Sequence, residues 1–481
     1  MAVLARVLYM GLSSSPRITL PRSTMHLIRS AVVVPVCAWL ALCVPEARAQ
    51  EPQPVPGPGA GTPSAGQPAQ EPLTLERAVS LAAERNETAL SAQARSEAAE
   101  ARVARARAFF LPRLNVGATY TRRLQDVVRR VGDEEVVIQT RNALSGNATA
   151  SVPLFDARGF PLLQAANRDR EATKLDAVEA RRQVSFQAAN AFLSTLGLQQ
   201  VAQAAERRLA YARQSLEEAK ARAQAGLAST NDVTRAQLDV ATAEADLADA
   251  VGQAETGRLE LGYLLVAPVE GPLAAPETLL GEASRPVEAF ALLAEEALAR
   301  RPDILSAKLR VEQQQALARE PLARLFPTLS ASGQYILTNE AGLAGRNWNA
   351  FASVNLGWSL FDGGERYAER RERLALVRVQ ELDVAARTRR VDVSVDRANV
   401  ALRTAQAALN RGQVAFDAAR QNAEETSILY RQGIASSLAL SDAQVRQFEA
   451  EVALARARYA LGTALLELRA AVGLDPLGKE P

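Results

Sequence analysis

One half of this chain repeats the other, and that narrows the possible folds more than any other feature. Ala89-Leu90-Ser91-Ala92 returns as Ile304-Leu305-Ser306-Ala307, and Leu111-Pro112-Arg113-Leu114 returns as Phe326-Pro327-Thr328-Leu329. Leu154-Phe155-Asp156 returns as Leu360-Phe361-Asp362, Gly226-Leu227-Ala228-Ser229 as Gly433-Ile434-Ala435-Ser436, and Leu259-Glu260-Leu261 as Leu466-Glu467-Leu468. The spacing holds at about 207–215 residues and the order never changes. Chance likeness between Ala-rich helices would not keep the Pro, Gly and Phe-Asp punctuation in order. The repeats are expected at 73–267 and 288–473, with a Pro-rich connector at 268–287 and a tail at 474–481.

Each half reads as helix, strand, strand, very long helix, tight turn, helix. Leu144, Gly146, Ala148, Ala150, Val152 and Leu154 alternate with Ser145, Asn147, Thr149, Ser151 and Pro153. Leu114/Val116/Ala118/Tyr120, Leu329/Ala331/Gly333/Tyr335/Leu337 and Trp348 to Leu360 show the same period of two. Such runs, about 8–13 residues long, suit tilted strands that cross a bilayer. Tyr120, Tyr335, Trp348 and Trp358 suit interfacial belts or an apolar outer face. A half-buried soluble sheet shows the same alternation, but it needs something to pack on.

The helices are already committed to one another. Val233, Val240, Leu247, Ala254 and Leu261 form one heptad seam; Ala236, Ala243, Ala250, Gly257 and Leu264 form a second. The other half answers with Leu440, Gln447, Leu454, Leu461, Leu468 and with Ala443, Ala450, Ala457, Ala464, Ala471. This is a coiled-coil pattern. Unbroken helix is expected over 156–225 and 362–432, roughly 105 Å each at about 1.5 Å per residue. Shorter helices are expected at 75–111, 230–266, 289–325 and 436–472, so two stacked end to end match one long one. Asp156 and Asp362 stand where strand becomes helix and are expected as N-caps.

Composition removes most chemistry. His26, Cys37 and Cys43 are the chain's only His and Cys, and all precede residue 50. That stretch reads as an export signal: Arg29, an apolar run from Ala31 to Val44, then Ala47-Arg48-Ala49 before the expected cut at Gln50. Met25 is an alternative start, and a membrane anchor is the alternative use. Leu40-Ala41-Leu42-Cys43 resembles a lipidation box, although Leu42 is large for it. Without residues 1–49 the chain has neither His nor Cys. Disulfides, thiolate chemistry, Ser-His-Asp triads and His-based zinc sites are then excluded. No phosphate-binding G-x-x-x-x-G-K-[ST] loop occurs. Neither catalysis, cofactor nor metal is expected. The 56 Lys+Arg lose five and the 54 Asp+Glu lose one, leaving 51 against 53, no footprint for nucleic acid. Residues 50–72, rich in Pro, Gly and Gln, are too poor in apolar residues to fold and read as a tether.

Four strands per chain cannot close a barrel, and an open edge cannot face lipid. Two copies would give eight strands and three would give twelve. An exported chain with such strands and such helices points to a Gram-negative outer membrane, with the helices in the periplasm. A periplasmic coiled-coil scaffold or adaptor is the alternative from another class.

At this point the sequence resembles the TolC-like outer-membrane efflux family over about 73–473. The resemblance rests on Leu154-Phe155-Asp156 and Leu360-Phe361-Asp362-Gly363-Gly364. It rests also on Gly226-x-x-Ser229-x-x-Asp232-Val233 and Gly433-x-x-Ser436-x-Leu438-x-Leu440-x-Asp442-Ala443-Gln444. It implies a mainly α fold with a transmembrane β-barrel. A homotrimer would form a 12-stranded barrel in outer-membrane lipid and a 12-helix periplasmic tunnel. It further implies the exit duct of a tripartite pump, joined through a periplasmic adaptor protein to an inner-membrane transporter; a type I protein secretion duct is the neighbouring possibility. By the same resemblance Leu438 and Asp442 form constriction rings, and a Tyr430–Asp232 link ties the two hairpins shut. The tips Gly226, Leu227, Ala228, Ser229 and Gly433, Ile434, Ala435, Ser436 would meet the adaptor. Two departures stand out: Ala435 replaces an arginine that strengthens the link in some members, and Ala439 replaces a second acidic ring.

Overall fold

The computed structural model describes residues 72–131, 134–285, 290–340 and 346–480. The expected export signal, and the leader up to 71, lie outside the described residues.

The first repeat contains α1 (Leu75–Arg85), α2 (Glu87–Arg107), β1 (Arg113–Arg122), β2 (Val127–Val131), β3 (Glu134–Gln139) and β4 (Asn142–Phe155). It ends with α3 (Gly159–Gln224) and α4 (Thr230–Leu265). A short helix, α5 (Glu277–Ala283), lies inside the expected connector. The second repeat contains α6 (Phe290–Arg300), α7 (Pro302–Leu317), α8 (Glu320–Ala323), β5 (Thr328–Thr338) and β6 (Trp348–Gly357). It ends with α9 (Glu365–Arg431) and α10 (Ser437–Val472). Among the described residues, no helix is long and apolar enough to cross a membrane.

The two long helices run 66 and 67 residues, about 100 Å each. Of the four shorter helices expected as single pieces, 230–266 and 436–472 are unbroken and the other two are interrupted. At 75–111 the break is Asn86, held extended at φ −66°, ψ 131°; its side-chain oxygen accepts the Thr88 amide at 2.9 Å and starts α2. At 289–325 the break is Arg301, extended at φ −63°, ψ 118°, because Pro302 clashes with a helical residue before it. Helical periodicity continues through both breaks, so it could not reveal them.

The Ala-rich seams pack as their spacing implies. Ala236, Ala243, Ala250 and Gly257 of α4 are buried. The carbonyl of Gly257 accepts from Thr195 Oγ1 of α3 at 3.0 Å, and a Cβ at 257 would stand 3.0 Å from Leu198 Cδ1. One core cluster joins α1, α3, α4, α5 and α10 through residues such as Val79, Phe192, Leu193, Leu261 and Leu466. A second joins α9 and α10 to the α6–α7 segment through Ile304, Val395, Leu402 and Leu461.

The four expected strands form one antiparallel sheet in the order β1-β4-β5-β6, which leaves β1 and β6 as unpaired edges. Between β1 and β4 the chain adds an unexpected ribbon, β2 on β3. The main register decides which side chains share a face. Val116 stands opposite Ala148, Ala148 opposite Tyr335, and Tyr335 opposite Ala350. Their face also carries Leu114, Tyr120, Leu144, Leu337, Trp348, Val354 and Leu356. The other face carries Asn115, Thr119, Asn147, Thr149, Ser332, Gln334, Ser353 and Asn355, with Ala143, Pro153, Ile336 and Phe351 as apolar exceptions. The apolar face is uncovered: Val116 is 78% exposed and Leu356 69%.

Candidate functional site

The far ends of the long helices turn in the same way. Gly226 and Gly433 hold φ of 70° and 79°, and nothing lies within 4 Å of a Cβ built on either. Glycine is required there for backbone freedom and not for space. Leu227 N bonds Arg222 O at 2.8 Å and Gly226 N bonds Ala223 O at 3.1 Å. Ile434 N bonds Leu429 O at 2.9 Å and Gly433 N bonds Tyr430 O at 3.0 Å, the same Schellman closure.

The next helices then start differently. Ser229 Oγ accepts the amides of Asn231 and Asp232, and Asp232 accepts the Ser229 amide at 3.1 Å, a complete capping box. Ser436 caps α10 through the Ala439 amide at 3.2 Å, but Ala439 has no side chain with which to answer. Ala228 and Ala435 complete the two turns without polar side chains.

Tyr430 is buried, and it lines one small crevice with Asp232, Arg235, Ser437 and Gln444. The expected Tyr430–Asp232 hydrogen bond is not formed. Both carboxylate oxygens are occupied: Oδ1 accepts from Ser437 Oγ and Oδ2 from the Ser229 amide. The Ser437 hydroxyl, with the Ser229 amide, holds the Asp232 carboxyl below the usual carboxylate range. Tyr430 is gripped through its ring. The Arg222 guanidinium sits 4.5 Å from the ring centroid, and its Nη2 donates to the Arg431 carbonyl at 2.7 Å. Gln444 Nε2 adds a second crossing to Ser215 Oγ at 3.2 Å.

Arg222 meets a defined need. The turn amides satisfy the carbonyls of Ile428, Leu429 and Tyr430, so Arg431 O is the one left over at the end of α9. A cation there also meets the negative end of the helix dipole. In the second hairpin the position matching Arg222 is Leu429, and among the described residues no side chain reaches the matching Gln224 carbonyl of the first. The Arg222 cap therefore has no mirror image, although Ser437 and Gln444 of the second hairpin donate back to Asp232 and Ser215 of the first.

Leu438 is 58% exposed, as are Leu227 and Ile434 to a greater degree, so each tip presents apolar side chains to its surroundings. Asp442 is also exposed, and Arg446 Nε stands 3.0 Å from its carboxylate, one helical turn on. That spacing was readable in Asp442-Ala443-Gln444-Val445-Arg446. Arg222 and Ser437 were not, since only folding brings them to their partners.

The junction aspartates cap from outside their helices. The N-cap of α3 is Arg158, and Asp156 Oδ1 accepts the Arg158 amide at 3.0 Å while the Arg158 guanidinium holds both oxygens. The N-cap of α9 is Gly364 at φ 88°, and Asp362 accepts the amides of Gly364 at 3.1 Å and Arg366 at 3.3 Å. Only glycine fits at 159, the first residue of α3, because a Cβ there would lie 2.4 Å from Phe110 Cζ. Among the described residues, no group of His, Cys, Asp or Glu could hold a metal.

The family profile described as outer membrane efflux protein matches residues 78–265 and 293–474, and the chain belongs to that family. It is similar to outer membrane protein TolC of Vibrio cholerae serotype O1, 25% identical over 398 residues, covering 80% of this chain and 87% of the relative. It is also similar to the pyoverdine export outer membrane protein OpmQ of Pseudomonas aeruginosa, 28% identical over 395 residues and 80% of each chain. Two solved structures share the fold. The Vibrio cholerae outer membrane protein VceC has a TM-score of 0.68 at 17% identity, covering 83% of this chain and 96% of VceC. The open state of the Neisseria gonorrhoeae MtrE channel has 0.69 at 19%, covering 85% and 90%. The protein is an outer-membrane efflux channel, in fold a helical tunnel joined to a β-barrel.

Proposed function

We propose that three copies close edge to edge into a 12-stranded barrel whose helices continue as one periplasmic tunnel. An export signal cut before Gln50 delivers the chain. The trimer is the passive exit duct of a tripartite pump, receiving substrate from an inner-membrane transporter through an adaptor docked on the tips at 226–229 and 433–436. The tips carry the gate: Leu438 and Asp442 line the constriction, and the Arg222–Tyr430 and Asp232–Ser437 contacts hold the two hairpins together. The observation that carries the reading is the sheet register. It sorts the apolar residues to one face, polar ones to the other, and leaves both edges unpaired. Such a sheet is stable in lipid only when its edges are joined.

Native mass spectrometry in detergent tests the assembly, with three chains expected. Val116→Arg, on the apolar face, should block membrane assembly, since arginine at mid-bilayer costs about 2–4 kcal/mol. Thr119→Arg, on the polar face, should assemble and alter ion selectivity. A water-soluble monomer, or equal tolerance of both arginines, overturns the reading.

A further inference from the structure

The pairing that sorts the sheet into two faces also fixes where its charges fall. On the polar face β1 contributes Arg113, Asn115, Gly117, Thr119 and Thr121. The positions that share this face on β4, β5 and β6 are hydroxyl, amide, glycine or apolar residues. Arg113 is therefore the one charged side chain among the paired residues of that face, and no carboxylate shares it. It stands at the end of the sheet that adjoins the helices, as the first residue of β1. Its rung runs across all four strands: Arg113 stands opposite Ser151, Ser151 opposite Ser332, and Ser332 opposite Ser353. The Ser332 and Ser353 hydroxyls lie 2.9 Å apart, and Asn355 Nδ2 donates to both at 3.4 Å.

Arg113 is exposed, and no ion pair holds it among the described residues. The carboxylates at the strand–helix junctions are already committed. Asp156 is held by Arg158, Asp362 by Arg366, and Glu320 by Arg324 and Arg373. The fold does not need a cation at this place either. The counterpart of Arg113 in the second repeat is Thr328, whose hydroxyl donates to the Gly357 carbonyl at 3.2 Å. One repeat thus starts its first strand with a neutral residue, and the other with an unneutralised guanidinium.

This inference rests on the barrel proposed above, with the polar face inward. We propose that Arg113 sets the charge preference of the barrel. Three copies place a ring of guanidinium and serine hydroxyl groups at its helix end, and that ring favours anionic cargo, such as carboxylates, phosphates and sulfonates, over cationic cargo. A guanidinium presents a planar fork of N–H donors that matches an oxyanion, and the serine hydroxyls beside it can donate as well. The rest of the strand lining is neutral, so nothing on it opposes the ring. In a water-filled lumen the attraction extends about 10 Å at 0.1 M salt.

A single thiol reads this local field without passing current through the gate. The chain beyond residue 49 has no cysteine. Ser332→Cys places a thiol on the rung two strands from Arg113, about 10 Å away. The purified protein in detergent is reacted with two methanethiosulfonates of similar size, one bearing a sulfonate and one a trimethylammonium, and intact-mass spectrometry gives the two rates. Their ratio cancels any change in the thiol itself. The sulfonate-to-ammonium ratio should fall about three- to ten-fold when Arg113→Thr is added at 0.1 M salt. Arg113→Lys should keep most of the preference, and 1 M salt, with a screening length of about 3 Å, should erase it. A ratio that Arg113→Thr leaves unchanged overturns the ring and leaves the barrel standing. A Ser332→Cys thiol that neither reagent reaches in a trimer, or a monomer by native mass spectrometry, overturns the barrel reading and the ring with it.

Discussion

Asn86 donates its side-chain Nδ2 to the carbonyl of Leu264 at 3.3 Å, so the break in one helix closes the end of another. The second repeat does the same with different chemistry: Arg301, at the break between α6 and α7, donates Nη1 to the Ala471 carbonyl at 3.3 Å. Leu264 and Ala471 occupy matching places near the ends of α4 and α10. Each interruption thus supplies a donor for terminal carbonyls that have no partner of their own.

Asn86→Ala removes an N-cap and this donor together. It should destabilise the protein by about 1–2 kcal/mol. Asn86→Asp keeps the cap and loses only the donor, so it should cost less. Thermal unfolding in detergent ranks the two, and an Asn86→Asp protein as stable as the parent would mean the bond to Leu264 contributes nothing.

The hairpin crossing depends on the ring of Tyr430 and the charge of Arg222. Tyr430→Phe should leave closed-state conductance in planar bilayers unchanged. Arg222→Ala should raise it, since a charged hydrogen bond contributes about 1.5–3 kcal/mol and the ring contact about 0.5–1 kcal/mol. Arg222→Lys should fall between. A large effect of Tyr430→Phe would restore the hydroxyl link to Asp232.

The constriction should carry little net charge, because each Asp442 has Arg446 beside it. Arg446→Gln should shift reversal potentials toward cation preference, and Asp442→Asn toward anions. If Arg446→Gln leaves selectivity where it was, the pair does not face the pore.

Acid stability should track Asp303. Burial pushes its carboxyl up, but the Arg301 fork at 2.9–3.0 Å, with Arg182 and Arg387, outweighs this and holds it below the usual range. A depressed carboxyl stabilises the fold above its unfolded pKa of about 3.9, and that contribution fades as pH falls below it. Asp303→Asn should therefore be less stable at neutral pH, yet lose less as pH falls below about 4. Parallel pH profiles for the two proteins would exclude Asp303 as the acid-sensitive group.

What the sequence showed plainly was whatever recurs. Two copies of Phe-Asp, two tip glycines and strand alternation with period two located the sheet and the turns. Local exceptions stayed hidden. Nothing in the periodicity of 75–111 marks Asn86 as a break, because its neighbours are helix formers on both sides. The β2–β3 ribbon has no counterpart among the described residues of the second repeat and so no echo to betray it. Arg222 and Ser437 looked like ordinary helix residues until folding set them against Arg431 and Asp232, partners more than 200 positions away.

The unequal starts of α4 and α10 matter once copies assemble. A ring of six like fingers could only yield as a whole. The two repeats differ here: in the proposed trimer three fingers would begin with the reciprocal Ser229–Asp232 clasp, and three with the half-made cap of Ser436 beside Ala439. In the proposed trimer such a ring would be an iris of unequal blades, three with a fully clasped root alternating with three whose root is clasped on one side only.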